Sequence, residues 1–245
     1  MKARVLGSGW VTSGGWGQGG SDALFGLDGG RLPELTRKDL FADPYPRFGR
    51  LDPFSRLGLS AIALALADAG IASWQEKRPI GLVADSRYGC LATDFDYFRA
   101  LLPEEGGLAS PNLFAYTLPN TLLGEAAIRF GLTGPGFVQS SGEGSPFAAL
   151  EVALELLCDG DAPAVVAGFC ELPPLSAGGR SEPDRAGAAF LVLAPVEEDS
   201  AAGPRLTYDG TWRVDDRMVT DWPGLIAACR QPAGSEFCNK RKEPS

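Results

Sequence analysis

The chain has 245 residues, 44% of them hydrophobic and 22% charged, with a formal charge of −9 and no histidine. This suits a globular protein with a sizeable core, while the acidic balance, with no basic stripe, argues against nucleic acid as a partner. Without histidine or any CxxC pair the usual zinc spacings are excluded, and we expect neither metal nor cofactor. Five scattered cysteines (Cys90, Cys158, Cys170, Cys229, Cys238) suit reduced thiols. No signal-peptide core opens the chain, and no apolar run approaches the roughly 18 residues of a membrane span. The expected location is the cytoplasm, with the basic tail Asn239–Lys242 read as a solvated end.

Arg4 to Thr12 is a plausible first strand, followed by a glycine-rich loop to about Arg31. Gly15, Gly17 and Gly20 match GxGxxG, but no helix pattern or acidic ribose partner follows, so nucleotide binding is disfavoured. "LDPFSRLGLSAIALALADAG" is the clearest helix. Asp52 is its N-cap, Pro53 its first residue and Gly70 its C-terminal stop. "PIGLVADS" reads as a strand, "TDFDYFRALL" as a helix, "SPNLFAYTLP" as a loop and "NTLLGEAAIRFG" as a helix closed by Gly131.

The stretch "QSSGEGSPFAAL" (Gln139–Leu150) has the form of a nucleophile elbow. A strand from Gly136 to Ser141 enters a turn flanked by Gly142 and Gly144, and a helix is expected at once, with Ser145 as N-cap and Pro146 first. Glu143 stands at the apex, where acyl transfer would want Ser or Cys. Beyond it, Ala162–Leu172 and Gly187–Pro195 are continuous apolar runs, typical of strands buried on both faces. Past Glu198 the pattern weakens, with "PRLTYDGTW" a possible further strand. Residues 1–198 are therefore expected to form one domain and 199–245 an appendage. Alternating strands and helices imply an α/β layered domain. The acidic pairs Asp94/Asp96, Glu104/Glu105 and Asp215/Asp216 read as solvated surface.

Four stretches, in order and spacing, resemble the N-terminal half of β-ketoacyl synthases of the thiolase-like superfamily. They are "VLGSGWVTSGGWG", "LDPFSRLGLSAIALALADAGI", "SPNLFAYTLPNTLLGEAAIRFGLTGPGFVQSS" and "ALELLCDGDAPAVVAGFCE". The resemblance implies half of a thiolase-like fold: a mostly parallel, mixed five-stranded sheet with helices. The family places a cysteine at the elbow and two histidines in its C-terminal half. Glu143 replaces the first and the chain has no histidine, so no condensing activity is expected of the isolated chain.

Non-condensing relatives called chain-length factors pair with a competent ketosynthase, and this sequence resembles a half-length member of that group, as in aryl-polyene and type II polyketide systems. The resemblance implies a ketosynthase partner, an acyl carrier protein met indirectly through it, and fatty-acid-like or polyene products. It also makes Phe137, Val138, Gln139 and Ser140 partner-interface residues, against the reading that their strand closes the chain's own sheet. Phe114, Tyr116, Thr117 and Asn120 become walls of the partner's acyl tunnel; the two aromatics could equally fill this chain's own core. Glu143 has three readings: general base, electrostatic placeholder or relic. Two rival functions stay open, a stand-alone decarboxylase or acyl-transfer enzyme using Glu143, and a structural homodimer.

A half-domain should also leave apolar surface. The helices Leu51–Ala69 and Ser145–Cys158 are expected to present it, with Trp212, Met218, Trp222 and Leu225 covering part.

Overall fold

The computed structural model describes residues 1–71, 76–104, 109–142, 144–173, 186–197 and 203–230. Strand β1 (Lys2–Thr12) doubles back into β2 (Gly15–Gln18) as an antiparallel hairpin. Gly15 takes φ +136° at the turn, so the GxGxxG match belongs to a hairpin with no phosphate-binding helix behind it. A short helix, α1 (Arg37–Leu40), and a 3₁₀ turn (Pro46–Arg50) lead to the long helix α2 (Pro53–Asp68).

The α2 boundaries follow from local chemistry. Asp52 accepts from the Ser55 amide at 3.1 Å and, with its other oxygen, from the Thr93 hydroxyl at 2.8 Å. Gly70, at φ +75°, ends the helix in the left-handed region. Gly7 and Gly9 of β1 lie directly under the α2 backbone, where any Cβ would collide with Ala65 or Ala69. Small residues on both elements thus let helix and strand approach backbone to backbone.

β3 (Ile80–Asp85) is followed by α3 (Leu91–Leu101), α4 (Pro111–Phe114) and α5 (Thr121–Phe130). The segment read as loop therefore holds one helical turn, capped by Ser110, whose hydroxyl accepts from Leu113 N at 3.3 Å. Next come β4 (Gly136–Gln139), α6 (Ala148–Asp159), β5 (Ala164–Glu171) and β6 (Gly187–Ala194). Helix α6 starts two residues later than the Ser145 cap implies. The Ser145 hydroxyl accepts from Phe147 N at 3.2 Å, tightening a turn that precedes the helix, and Phe147 is the capping residue.

The described residues form one mixed sheet of nine strands, not five, in the order β4-β3-β5-β6-β1-β7-β8-β9, with β2 paired to β1. β7 (Arg205–Tyr208), β8 (Trp212–Val214) and β9 (Arg217–Met218) extend it, and α7 (Trp222–Arg230) follows. The expectation of mostly parallel pairing also fails. Only β3–β4 and β3–β5 are parallel; β6 runs against both of its neighbours, and the β1–β2 and β7–β9 connections are tight hairpins. Four of the five central strands still share one direction, because β1 and β5 are both antiparallel to β6.

Each sheet face carries its own core. One is filled by α2, α5 and the aromatic residues Phe41, Tyr45 and Phe48; the other by α6, α7 and the buried Trp10, Trp212 and Trp222. Neither α2 nor α6 leaves an apolar face open. Residues 41–54 and α5 seal the first, and Phe147 at the start of α6 stacks edge-on with Trp212 and Trp222. Trp212, Trp222 and Leu225 are buried as expected of a cover, whereas Met218 is 66% exposed.

Candidate functional site

The carboxyl ends of the parallel strands β4, β3 and β5 meet at one rim of the sheet, where ligand sites of open α/β sheets form. Asp85 ends β3 and holds the elbow: it accepts from the Ser141 amide at 3.0 Å and from the Ser141 hydroxyl at 2.7 Å. Gly142 then turns at φ +62°, and Gly144 N donates to the Ser141 carbonyl at 3.1 Å. A side chain at Gly142 would be strained there, which accounts for the glycine. Glu143, the apex residue, lies outside the described residues.

Glu171 ends β5 and reaches the same rim. Its carboxylate accepts from the Arg87 amide and, at 3.4 Å, from the Tyr88 amide, tying the loop after β3 to β5. Burial pushes its pKa from 4.5 to about 7, against the lowering effect of those two amides, and the nearby Asp85 adds to the rise. The folded state therefore keeps this proton to higher pH than the unfolded chain does. The stability this proton contributes is fully present below about pH 4.5 and is lost as pH rises to about 7. We expect Glu171→Gln to flatten this slope, read as Tm at pH 5, 6, 7 and 8; an unchanged slope would contradict the assignment.

Neither Cys90 nor Cys170 is poised as a nucleophile. Burial, and then the Asp94 charge, push Cys90 up to about 12, and full burial raises Cys170 well above its ordinary value. Asp94 is half-buried beside Cys90, at 3.7 Å, and is not the solvated carboxylate the sequence suggested. Asp215 is likewise engaged, accepting from Arg205 N at 3.0 Å. Among the described residues no cluster of three His, Cys, Asp or Glu side chains could hold a metal ion, and no helix is long and apolar enough to cross a membrane.

β4 lies at the end of the sheet, paired on one side only. Phe137 is 37% exposed, Val138 and Gln139 are half-buried, and Ser140 is exposed. The carbonyls of Pro135 and Gln139 accept from Leu82 and Ser86 of the β3 segment, at 2.8 and 3.0 Å. Alternation along the ladder turns the N–H and C=O of Val138 to the open side.

The four residues expected to wall a tunnel separate. Phe114 points outward, 62% exposed, with its ring 5.6 Å from that of Tyr97. Tyr116 is 8% exposed and belongs to the core under α2 and α5. Thr117 is half-buried and donates to the Phe114 carbonyl at 2.8 Å, and Asn120 is the exposed N-cap of α5. The sequence reading missed an apolar patch around Phe114: Phe95 and Phe98 on α3 and Leu102 in the 3₁₀ turn that follows it, with Leu118 beyond α4, all 47–62% exposed. The i, i+3, i+7 spacing within "FDYFRALL" carried that signal. An open groove of about 490 Å³ runs between α3 and Thr117.

The family model described as Beta-ketoacyl synthase, N-terminal domain, matches residues 34–186. No curated protein matches the chain. Among solved structures, "the ishigamide ketosynthase/chain length factor" is 19% identical with a TM-score of 0.62, over 83% of this chain and 64% of that one. A type II PKS acyl-carrier protein in complex with its ketosynthase gives 19%, 0.65, 84% and 68%. A ketosynthase in complex with its chain length factor from Xenorhabdus doucetiae gives 18%, 0.57, 81% and 81%. At these identities the likeness is one of fold. The chain spans just under two thirds of the first of these structures' own length.

Proposed function

The chain belongs to the β-ketoacyl synthase family through its N-terminal domain, and from that premise we propose that it is a non-catalytic, chain-length-factor-like partner of a ketosynthase. The observation that carries this reading is the conjunction of an open β4 edge with an elbow that has no Cys or Ser at its apex and no histidine in the chain. Open edges invite strand pairing, and a partner's strand laid beside Phe137, Val138, Gln139 and Ser140 satisfies this one. Similarity to a ketosynthase solved with its chain length factor supports that choice of partner.

In this reading the exposed Phe114 and the α3 patch face the ketosynthase and limit the chain growing in its tunnel, in fatty-acid-like or polyene synthesis. Tyr116 acts from behind, through the core that fixes the loop. With a charge of −9 the subunit repels an acidic carrier protein, so carrier docking falls to the ketosynthase. The elbow persists as architecture, holding β4 and α6 in place.

Two substitutions test these roles in a reconstituted complex. Phe114→Ala is expected to lengthen the products without loss of complex; an unchanged length distribution removes Phe114 from the tunnel wall. Glu143→Gln is expected to leave product formation intact. Loss of turnover with the complex still assembled would make Glu143 a chemical participant.

A further inference from the structure

On the α2 side of the sheet, away from α6, lies a second concavity of about 1000 Å³. It is framed by the loop Gly29–Arg37, the 3₁₀ turn and the first turns of α2. Its floor is core: Val11, Leu35, Phe48 and Leu57, each below a tenth exposed, all face it. Its polar lining holds three arginines, Arg31, Arg37 and Arg56, beside Glu34, Thr36 and Ser60. Arg31 pairs with Glu34, but Arg37 and Arg56 are half-buried, and their guanidiniums donate to the backbone carbonyls of Asp43 and Leu51. Neither has a carboxylate within ion-pair distance among the described residues.

In a chain of charge −9, residues 31–56 carry six cationic and four acidic side chains, so the local balance is reversed. An apolar hollow of this size with two uncompensated guanidiniums suits a ligand with an aliphatic body and an anionic head. We propose that this cavity binds an aliphatic carboxylate, its carboxylate on Arg37 and Arg56 and its chain on Leu35, Phe48 and Leu57. The proposed site is defined by described residues alone, Leu35, Arg37, Phe48, Arg56 and Leu57. The site is separate from the elbow and from β4, and it does not depend on the ketosynthase reading.

The test is calorimetric titration of the full chain with sodium decanoate, beside decanol. Saturable one-to-one binding of decanoate is expected, weakened at least tenfold in the Arg37→Gln/Arg56→Gln double variant. Gly49→Trp places a ring at the mouth, where a Cβ meets open space, and is expected to abolish binding with the circular dichroism unchanged. No saturable heat up to millimolar decanoate would overturn the proposal. So would decanol binding as tightly as decanoate, or undiminished binding in either variant.

Discussion

Val138→Pro is expected to abolish association with a ketosynthase while the chain stays folded. Proline removes one N–H, and in the β4 ladder the Val138 N–H faces away from β3. Proline is tolerated at sheet edges for that reason, so the cost within this chain is small. Across an antiparallel interface the same N–H would be one of a few main-chain donors, and the proline ring would hold the partner strand off. Size-exclusion chromatography with light scattering distinguishes the outcomes. A variant that keeps the complex would show that β4 is not the pairing edge and would move the interface to the α3 patch.

The second large effect concerns stability. Trp222→Ala is expected to cost about 3–5 kcal/mol, the usual loss for a buried tryptophan. That corresponds to a Tm lower by roughly 6–20 °C for a chain of this size. Trp222 is 5% exposed; its ring lies 5.7 Å from that of Phe147 and 5.0 Å from that of Phe169. Its indole N–H donates to the Pro146 carbonyl at 2.7 Å, tying α7 to the turn that opens α6. Removing the ring leaves a cavity beneath the elbow helix and an orphaned carbonyl at its entry. Differential scanning calorimetry measures the loss. A shift of less than about 2 °C would mean that residues 203–230 cover the core without holding it.

Legibility in the sequence tracks how local each cause is. Helix α2 was readable because its cap, first residue and stop are single residues with known backbone preferences, and Asp52, Pro53 and Gly70 stand at those positions. Strands β5 and β6 were readable from unbroken apolar runs. The start of α6 was not, because Ser145 also satisfies a tight turn, and packing of Phe147 against Trp212 and Trp222 decides where the helix begins. The strand count failed for the same reason. β2, β8 and β9 are four residues or shorter and are defined by hairpin pairing, which no run of two to four residues announces. At the candidate site, the Gly142 turn was visible in the sequence, whereas the grip of Asp85 on Ser141 spans 56 residues and needs the β3–β4 register. Phe114 closes α4 and Tyr116 lies two residues beyond it, and burial alone separates them.

The central claim is partnership, and the most direct measurement is the mass of the assembly. The chain is co-expressed with the ketosynthase encoded nearest to it, purified through a tag on this chain and weighed by native mass spectrometry. The account predicts a one-to-one heterodimer. A stable monomer or homodimer that ignores the ketosynthase would contradict it.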